Sequence, residues 1–171
     1  MNFDELIRQL QIENERYKRY KTPCSIVIFF VNCATSSLQV QYGHKIVIEL
    51  KNLIDKAIRK TDYIARHKNT VITILPNIDI EKVTGFVNRI FSLLDSEVKK
   101  NYKEYSEKDQ DEMVLVDIVI GIGIICFSNL IPEGVDNIVI WNDFNKDSFL
   151  EYLSNPEIIY ESWEIRFPVI D

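Results

Sequence analysis

The sequence is poor in residues that break or staple a chain, with 5 Gly, 5 Pro and 3 Cys among 171 residues. So few glycines and prolines exclude a collagenous, linker-type or low-complexity polymer. The cysteines, Cys24, Cys33 and Cys126, form no C-x-x-C pair and sit in or beside apolar runs. They read as small buried hydrophobes of a reducing compartment rather than a disulfide framework. Histidine is as scarce: neither His44 nor His67 has a second His or Cys at metal-ligand spacing, so no metal and no cofactor is expected. Positive charge is not in excess either. Twenty Lys+Arg stand against 26 Asp+Glu, a net charge of -6, which argues against nucleic-acid binding and broad adhesion to an anionic membrane. The N-terminal MNFDELIRQLQ is amphipathic and acidic where a signal peptide would be basic and then apolar. The longest apolar stretches, SIVIFFV and MVLVDIVIGIGIICF, are too short or too interrupted to cross a bilayer as helices. The expectation is a cytoplasmic protein without membrane insertion, folded as one domain over residues 1–171.

What the chain does have is pattern. Apolar residues make up 46% of it, and their spacing alternates between two periods. Phe3, Leu6, Ile7 and Leu10 recur at helical spacing, which predicts a helix from Asn2 to Tyr20, ended by Lys21-Thr22-Pro23. Ser25 to Val31 is an unbroken β-branched and aromatic run, the signature of a strand covered on both faces. Asn32 to Ser37 reads as a loop or a short helix start, and a helical stripe from Gly43 through Ile46, Leu50, Leu53, Ile54 and Ile58 ends near Lys60 or Thr61. Tyr63–His67, the two-residue turn Lys68-Asn69 and Thr70–Leu75 read as a β-hairpin. A third helix spans Ile80 to Lys100, and the charged NYKEYSEKDQDE is expected to be a solvated loop or helix end. Val114–Phe127 reads as a buried strand in which Gly121 and Gly123 mark a bulge or a close backbone approach. A short strand at Ile138–Trp141, helical spacing at Phe144, Phe149, Leu150 and Leu153, and a β-like tail complete the chain. This order predicts an α/β sandwich whose central sheet is mixed but mainly antiparallel, flanked by helices.

The same order carries particular residues. Glu13-Asn14-Glu15-Arg16-Tyr17-Lys18-Arg19-Tyr20 precedes a proline and the apolar strand, Tyr42-Gly43-His44 opens the second helix, and Arg59-Lys60-Thr61-Asp62-Tyr63-Ile64-Ala65-Arg66-His67 leads into the hairpin turn. Ile72-Thr73-Ile74-Leu75-Pro76 leaves it. In these stretches the chain resembles the GGDEF domain of bacterial diguanylate cyclases, with good agreement from Leu6 to Leu94, again over Val119 to Ile124, and a divergent part over residues 130–171. The resemblance implies a nucleotide-cyclase-like sandwich with the hairpin at the signature turn.

The resemblance also implies what is missing. Where the family has Gly-Gly-Asp/Glu-Glu-Phe, this chain reads Lys68-Asn69-Thr70-Val71, one residue shorter. The family's metal-binding Asp positions fall on Val31 and Cys33, and its guanine-reading Asn and Asp on Gln39 and Val40. Metal-assisted phosphoryl transfer needs carboxylates to hold divalent cations, which Val31, Thr70 and Val71 cannot supply; the chain is expected not to be an enzyme. One constellation of the family persists. Arg59-Lys60-Thr61-Asp62 has the Arg-x-x-Asp form and position of the product-inhibition site, and Arg89 falls where the family brings a further arginine from the next helix. Arginine forks suit phosphate and guanine O6/N7, and a carboxylate suits guanine N1 and N2. The implied ligand is cyclic di-GMP, contacted directly by Arg59, Asp62 and Arg89, with the Arg59–Asp62 pair exposed at the end of the second helix. The plainer reading of that pair is an ordinary i,i+3 surface salt bridge. Two functions follow: an inactive cyclic di-GMP receptor, or a protein-interaction module that binds no nucleotide. A protein partner is expected, and a homodimer is left open.

Overall fold

The computed structural model describes residues 1–108, 113–129, 133–134 and 136–170. Helix α1 (Phe3–Tyr20) opens on Asn2, whose side chain accepts the Glu5 N–H, and closes on Lys21 in the left-handed region at φ 56°. Its stripe of Leu6, Ile7, Leu10 and Tyr17 is buried, as the helical spacing requires. Strand β1 (Cys24–Cys33) has its first eight residues buried, so it lies mid-sheet with both faces covered.

The sheet is built around β1. β2 (Tyr63–His67) pairs with β3 (Thr70–Pro76), β3 with β1, and β1 with β4 (Met113–Phe127), all antiparallel. The fifteen-residue β4 then carries two neighbours on its far side. β6 (Glu161–Ile170) runs antiparallel along Met113–Ile122, and β5 (Val139–Trp141) runs parallel beside Ile125–Phe127. The sheet has six strands in a mixed, mainly antiparallel order.

Alternation in β1 sorts the core into two layers. Val27, Phe29 and Val31 face α2 (Ser36–Ala57) and α3 (Ile80–Lys108), whose Ile46, Leu50, Val83, Val87 and Ile90 share their cluster. Ile26, Ile28 and Phe30 face α1 and α4 (Lys146–Ser154) through Leu6, Leu10, Phe149 and Leu153. Four helices thus flank the sheet, and residues 63–75 form the expected hairpin.

Three boundaries differ from the sequence reading. α2 begins at Ser36, seven residues before Gly43, because Thr35 caps it by accepting the Leu38 N–H. It also stops sooner, at Ala57, with Ile58 extended at φ -81°, ψ 161°. α3 continues past Lys100 to Lys108; the segment lacks an apolar stripe, but its Lys and Glu are strong helix formers. Residues 109–112 of the expected acidic loop lie outside the described residues. Gly121 and Gly123 make no bulge, since the β1–β4 register runs unbroken through both. Gly123 marks a close approach instead: a Cβ there would overlap the Tyr152 hydroxyl and lie 3.1 Å from Phe30 Cε2.

Candidate functional site

Two cavities hold most of the residues singled out by sequence. The first is a cleft of ≈ 380 Å³ at the hairpin turn, lined by Val31, Asn32, His67, Lys68, Asn69 and Thr70 and closed on one side by Leu153, Ser154 and Pro156. Lys68 takes the left-handed conformation at φ 53° that the tight turn needs. Thr70 Oγ1 donates to the His67 carbonyl at 2.5 Å, and the Val31 N–H donates to the Asn69 carbonyl at 2.9 Å. Val31 therefore abuts the turn. Val31 and Val71 are fully buried and Thr70 nearly so. The His67 ring stacks on Phe3 with centroids 4.0 Å apart, and burial together with Lys68 pushes its pKa down, favouring the neutral ring. No carboxylate lines this cleft among the described residues.

Gln39, Val40, Cys33 and the buried Val71 do not join the cleft's lining. Gln39, in the first turn of α2, reaches back to the end of β1: its Oε1 accepts the Cys33 N–H at 2.7 Å, and its amide lies over Gly43, where a Cβ would sit 2.5 Å from Nε2. Val40 is 87% exposed. Burial raises the Cys33 thiol pKa, so this sulfur is a poor nucleophile.

The second cavity, ≈ 190 Å³, lies between the 59–62 turn, the end of β3 and the first turns of α3. It brings Arg59, Asp62 and Arg89 together, across 30 residues of sequence. Because α2 has already ended, Arg59 and Asp62 sit in a turn closed by the Asp62 N–H donating to the Arg59 carbonyl at 3.0 Å. The Asp62 side chain is 1% exposed. Its Oδ1 accepts from Arg59 Nε at 3.0 Å and Nη2 at 2.6 Å, while Oδ2 accepts the Arg59 N–H at 2.8 Å. Arg59 Nη2 also donates to the Pro76 carbonyl at 2.8 Å, tying the turn to β3. The bond to Asp62 raises the Arg59 pKa further and keeps the guanidinium charged.

This corrects the expectation of an exposed pair. The carboxylate is buried inside the arginine fork, and Arg59 alone is half exposed, at 42%. Asp62 consequently fixes the aim of Arg59, and its oxygens face Arg59 rather than standing open for a base. Arg89 is exposed on α3 with its guanidinium 5.5 Å from the Phe86 ring centroid. Sequence reasoning placed Phe86 only on the apolar stripe of the third helix and passed over Lys82, yet both line the same cavity. The available signal was their helical spacing with Arg89.

Sequence comparison gives no match, either to any family model or among curated proteins. Solved structures do match. A DGC protein from Thermotoga maritima is 14% identical with a TM-score of 0.54, over 75% of this chain and 82% of that one. The diguanylate cyclase SiaD of Pseudomonas aeruginosa, solved in complex with its activator SiaC, is 15% identical with a TM-score of 0.55, over 74% of this chain and 46% of that one. The coiled coil and GGDEF domain of DgcB from Caulobacter crescentus, solved with cyclic di-GMP, is 12% identical with a TM-score of 0.50, over 74% of this chain and 65% of that one. This chain thus spans less than half the length of SiaD. The likeness is one of fold: helices and strands here take the GGDEF-domain arrangement.

Proposed function

Proceeding from the GGDEF-domain fold, we propose that this chain is a catalytically inactive GGDEF-like domain that acts as a receptor for cyclic di-GMP. The observation that carries the reading is the charge of the second cavity. In a chain of net charge -6, that cavity gathers Arg59, Lys82 and Arg89 against one carboxylate, Asp62, which is already held by Arg59. Neither Lys82 nor Arg89 makes an ion pair among the described residues. The nearby Asp79 is engaged in capping α3, accepting the Glu81 and Lys82 N–H groups at 3.1 and 3.0 Å. A cluster with surplus cations on an acidic protein suits an anion, and two arginines suit phosphate together with guanine O6/N7. DgcB, a neighbour in fold, was solved with cyclic di-GMP.

The first cleft supports the inactive half of the reading. Phosphoryl transfer there would need carboxylates to hold divalent cations, and the positions facing the turn are the buried Val31, Thr70 and Val71. Incubation with GTP and Mg²⁺ or Mn²⁺ is expected to yield no cyclic di-GMP above a protein-free blank by chromatography. Turnover that disappears on changing Asn32 or Lys68 would overturn this half of the reading.

A further inference from the structure

Strand β6 borders the sheet beside β4, and among the described residues it pairs with β4 alone. Ladder parity fixes which of its main-chain groups are left over. The Ala34 N–H donates to the Asp117 carbonyl at 2.9 Å, continuing the β1–β4 register, so the odd-numbered residues of β4 bond toward β1. The even-numbered residues of β4 therefore bond toward β6, where they stand opposite Trp163, Ile165 and Phe167. The main chains of Ser162, Glu164, Arg166 and Pro168 point the other way, off the edge. Pro168 suits that position because it has no N–H to bond there. The next outward carbonyl, that of Ile170, is taken by Lys45 Nζ, which leaves 162–168 as the open stretch.

Charge commonly keeps such an edge from pairing, but here the two charges are of opposite sign and two residues apart. Glu164 and Arg166 are exposed on the face away from α3, since Ile165 between them packs toward α2 and α3. We infer that β6 pairs antiparallel with β6 of a second copy of this chain, about a two-fold axis at Ile165. In that register Glu164 of each copy stands directly opposite Arg166 of the other. These are residues whose main chains point outward, so each pair also exchanges its backbone hydrogen bonds. Arg166 holds Asp117 through Nε at 3.0 Å, leaving its Nη atoms for the glutamate. A two-fold at Glu164 or Arg166 would set like charges face to face. One at Phe167 would put Pro168 opposite Arg166 and lose a bond, and one at Trp163 would pair neither charge. Apolar surface adds to the edge: a groove of ≈ 360 Å³ opens beside Glu164–Arg166, and Phe91, Tyr102 and Leu115 in its lining are exposed. A second copy paired along β6 covers that groove.

Sedimentation equilibrium of the full chain should give twice its 20.1 kDa mass. Glu164→Arg sets like charges opposite each other at both symmetry-related positions and should weaken the dimer by about tenfold or more. Glu164 makes no ion pair among the described residues, so the thermal midpoint of that variant should hold. Adding Arg166→Glu to it exchanges the two charges and should bring the dimer back. Ile165→Cys should crosslink two chains under mild oxidation, because the central residues of this register form a non-hydrogen-bonded pair with Cα atoms about 4.5 Å apart. A monomer at high micromolar concentration overturns the inference. So does a dimer that ignores Glu164→Arg, is not restored by the charge exchange, or leaves Ile165→Cys uncrosslinked. None of these results bears on the cyclic di-GMP reading, whose residues line a different cavity.

Discussion

Arg89→Ala weakens cyclic di-GMP binding by about tenfold to hundredfold, the usual cost of removing one charged hydrogen-bonding partner, and leaves thermal stability almost unchanged. The second half follows from position. Arg89 is exposed, and its guanidinium lies over the Phe86 ring, a contact that at an exposed site contributes about 0.5–1 kcal/mol. Arg59→Ala behaves differently. It weakens binding at least as much, but it also strands the buried Asp62 carboxylate and releases the Pro76 carbonyl. The expected loss of stability is about 1–3 kcal/mol, or a few degrees in Tm for a chain of this size. Asp62→Ala should match that loss, because Asp62 also accepts the Arg59 N–H that closes the turn. Arg59→Lys keeps a cation beside the carboxylate, so it should retain more stability than Arg59→Ala while failing to restore affinity, for lack of the guanidinium fork. Thermal melts alongside calorimetry separate the two effects. Equal stability losses for Arg59→Ala and Arg89→Ala would contradict the arrangement described here.

The second large effect is structural. Gly123→Val should destabilise the protein by about 1–3 kcal/mol, in the range of forced overpacking, and should loosen α4 before the sheet. A side chain at 123 enters the space of the Tyr152 hydroxyl, which donates to the Ile158 carbonyl at 2.8 Å, and presses on Phe30. Burial pushes the Tyr152 pKa up to about 12, so the hydroxyl stays protonated and donating across the working pH range. Gly121→Ala is the control. Its Cβ would meet Phe30 and Ile159 at 3.7 and 3.9 Å, ordinary contact distances, and it should cost far less. Hydrogen exchange across residues 146–160 in the two variants decides the matter; equal protection in both would show that Tyr152 does not hold α4 to the sheet.

The parts of the fold legible in the sequence were those written in a period. The run Ser25–Val31 had to be a strand covered on both sides, and the hairpin at 63–75 followed from two β-rich runs around Lys68-Asn69. Ile26, Ile28, Phe30, Val71, Ile74, Ile120 and Ile122 are all 8% exposed or less. Boundaries set by single polar contacts were less legible. The Thr35 cap that starts α2 and the carboxylate that closes the 59–62 turn carry no apolar pattern. That second omission hid the burial of Asp62: a pair imagined on a continuing helix is exposed, whereas a pair in a turn closed on itself can bury its acid. The attachment of the C-terminal part was hidden for another reason. Spacing identified Phe149 and Leu153 as one helix face, but nothing local states that β5 and β6 share the far side of β4. The cavity was half legible, since position marked Arg59, Asp62 and Arg89 while the part of Lys82 and Phe86 in its lining needed the coordinates.

The central claim is that this chain binds cyclic di-GMP at the cavity between the 59–62 turn and α3. Calorimetric titration of the unmutated protein with cyclic di-GMP at near-physiological salt tests it most directly. Saturable binding that weakens in Arg89→Ala at unchanged Tm is the predicted result. No heat of binding at high micromolar ligand from a folded protein would contradict it, and a fold that serves only to dock another protein would then be the better account.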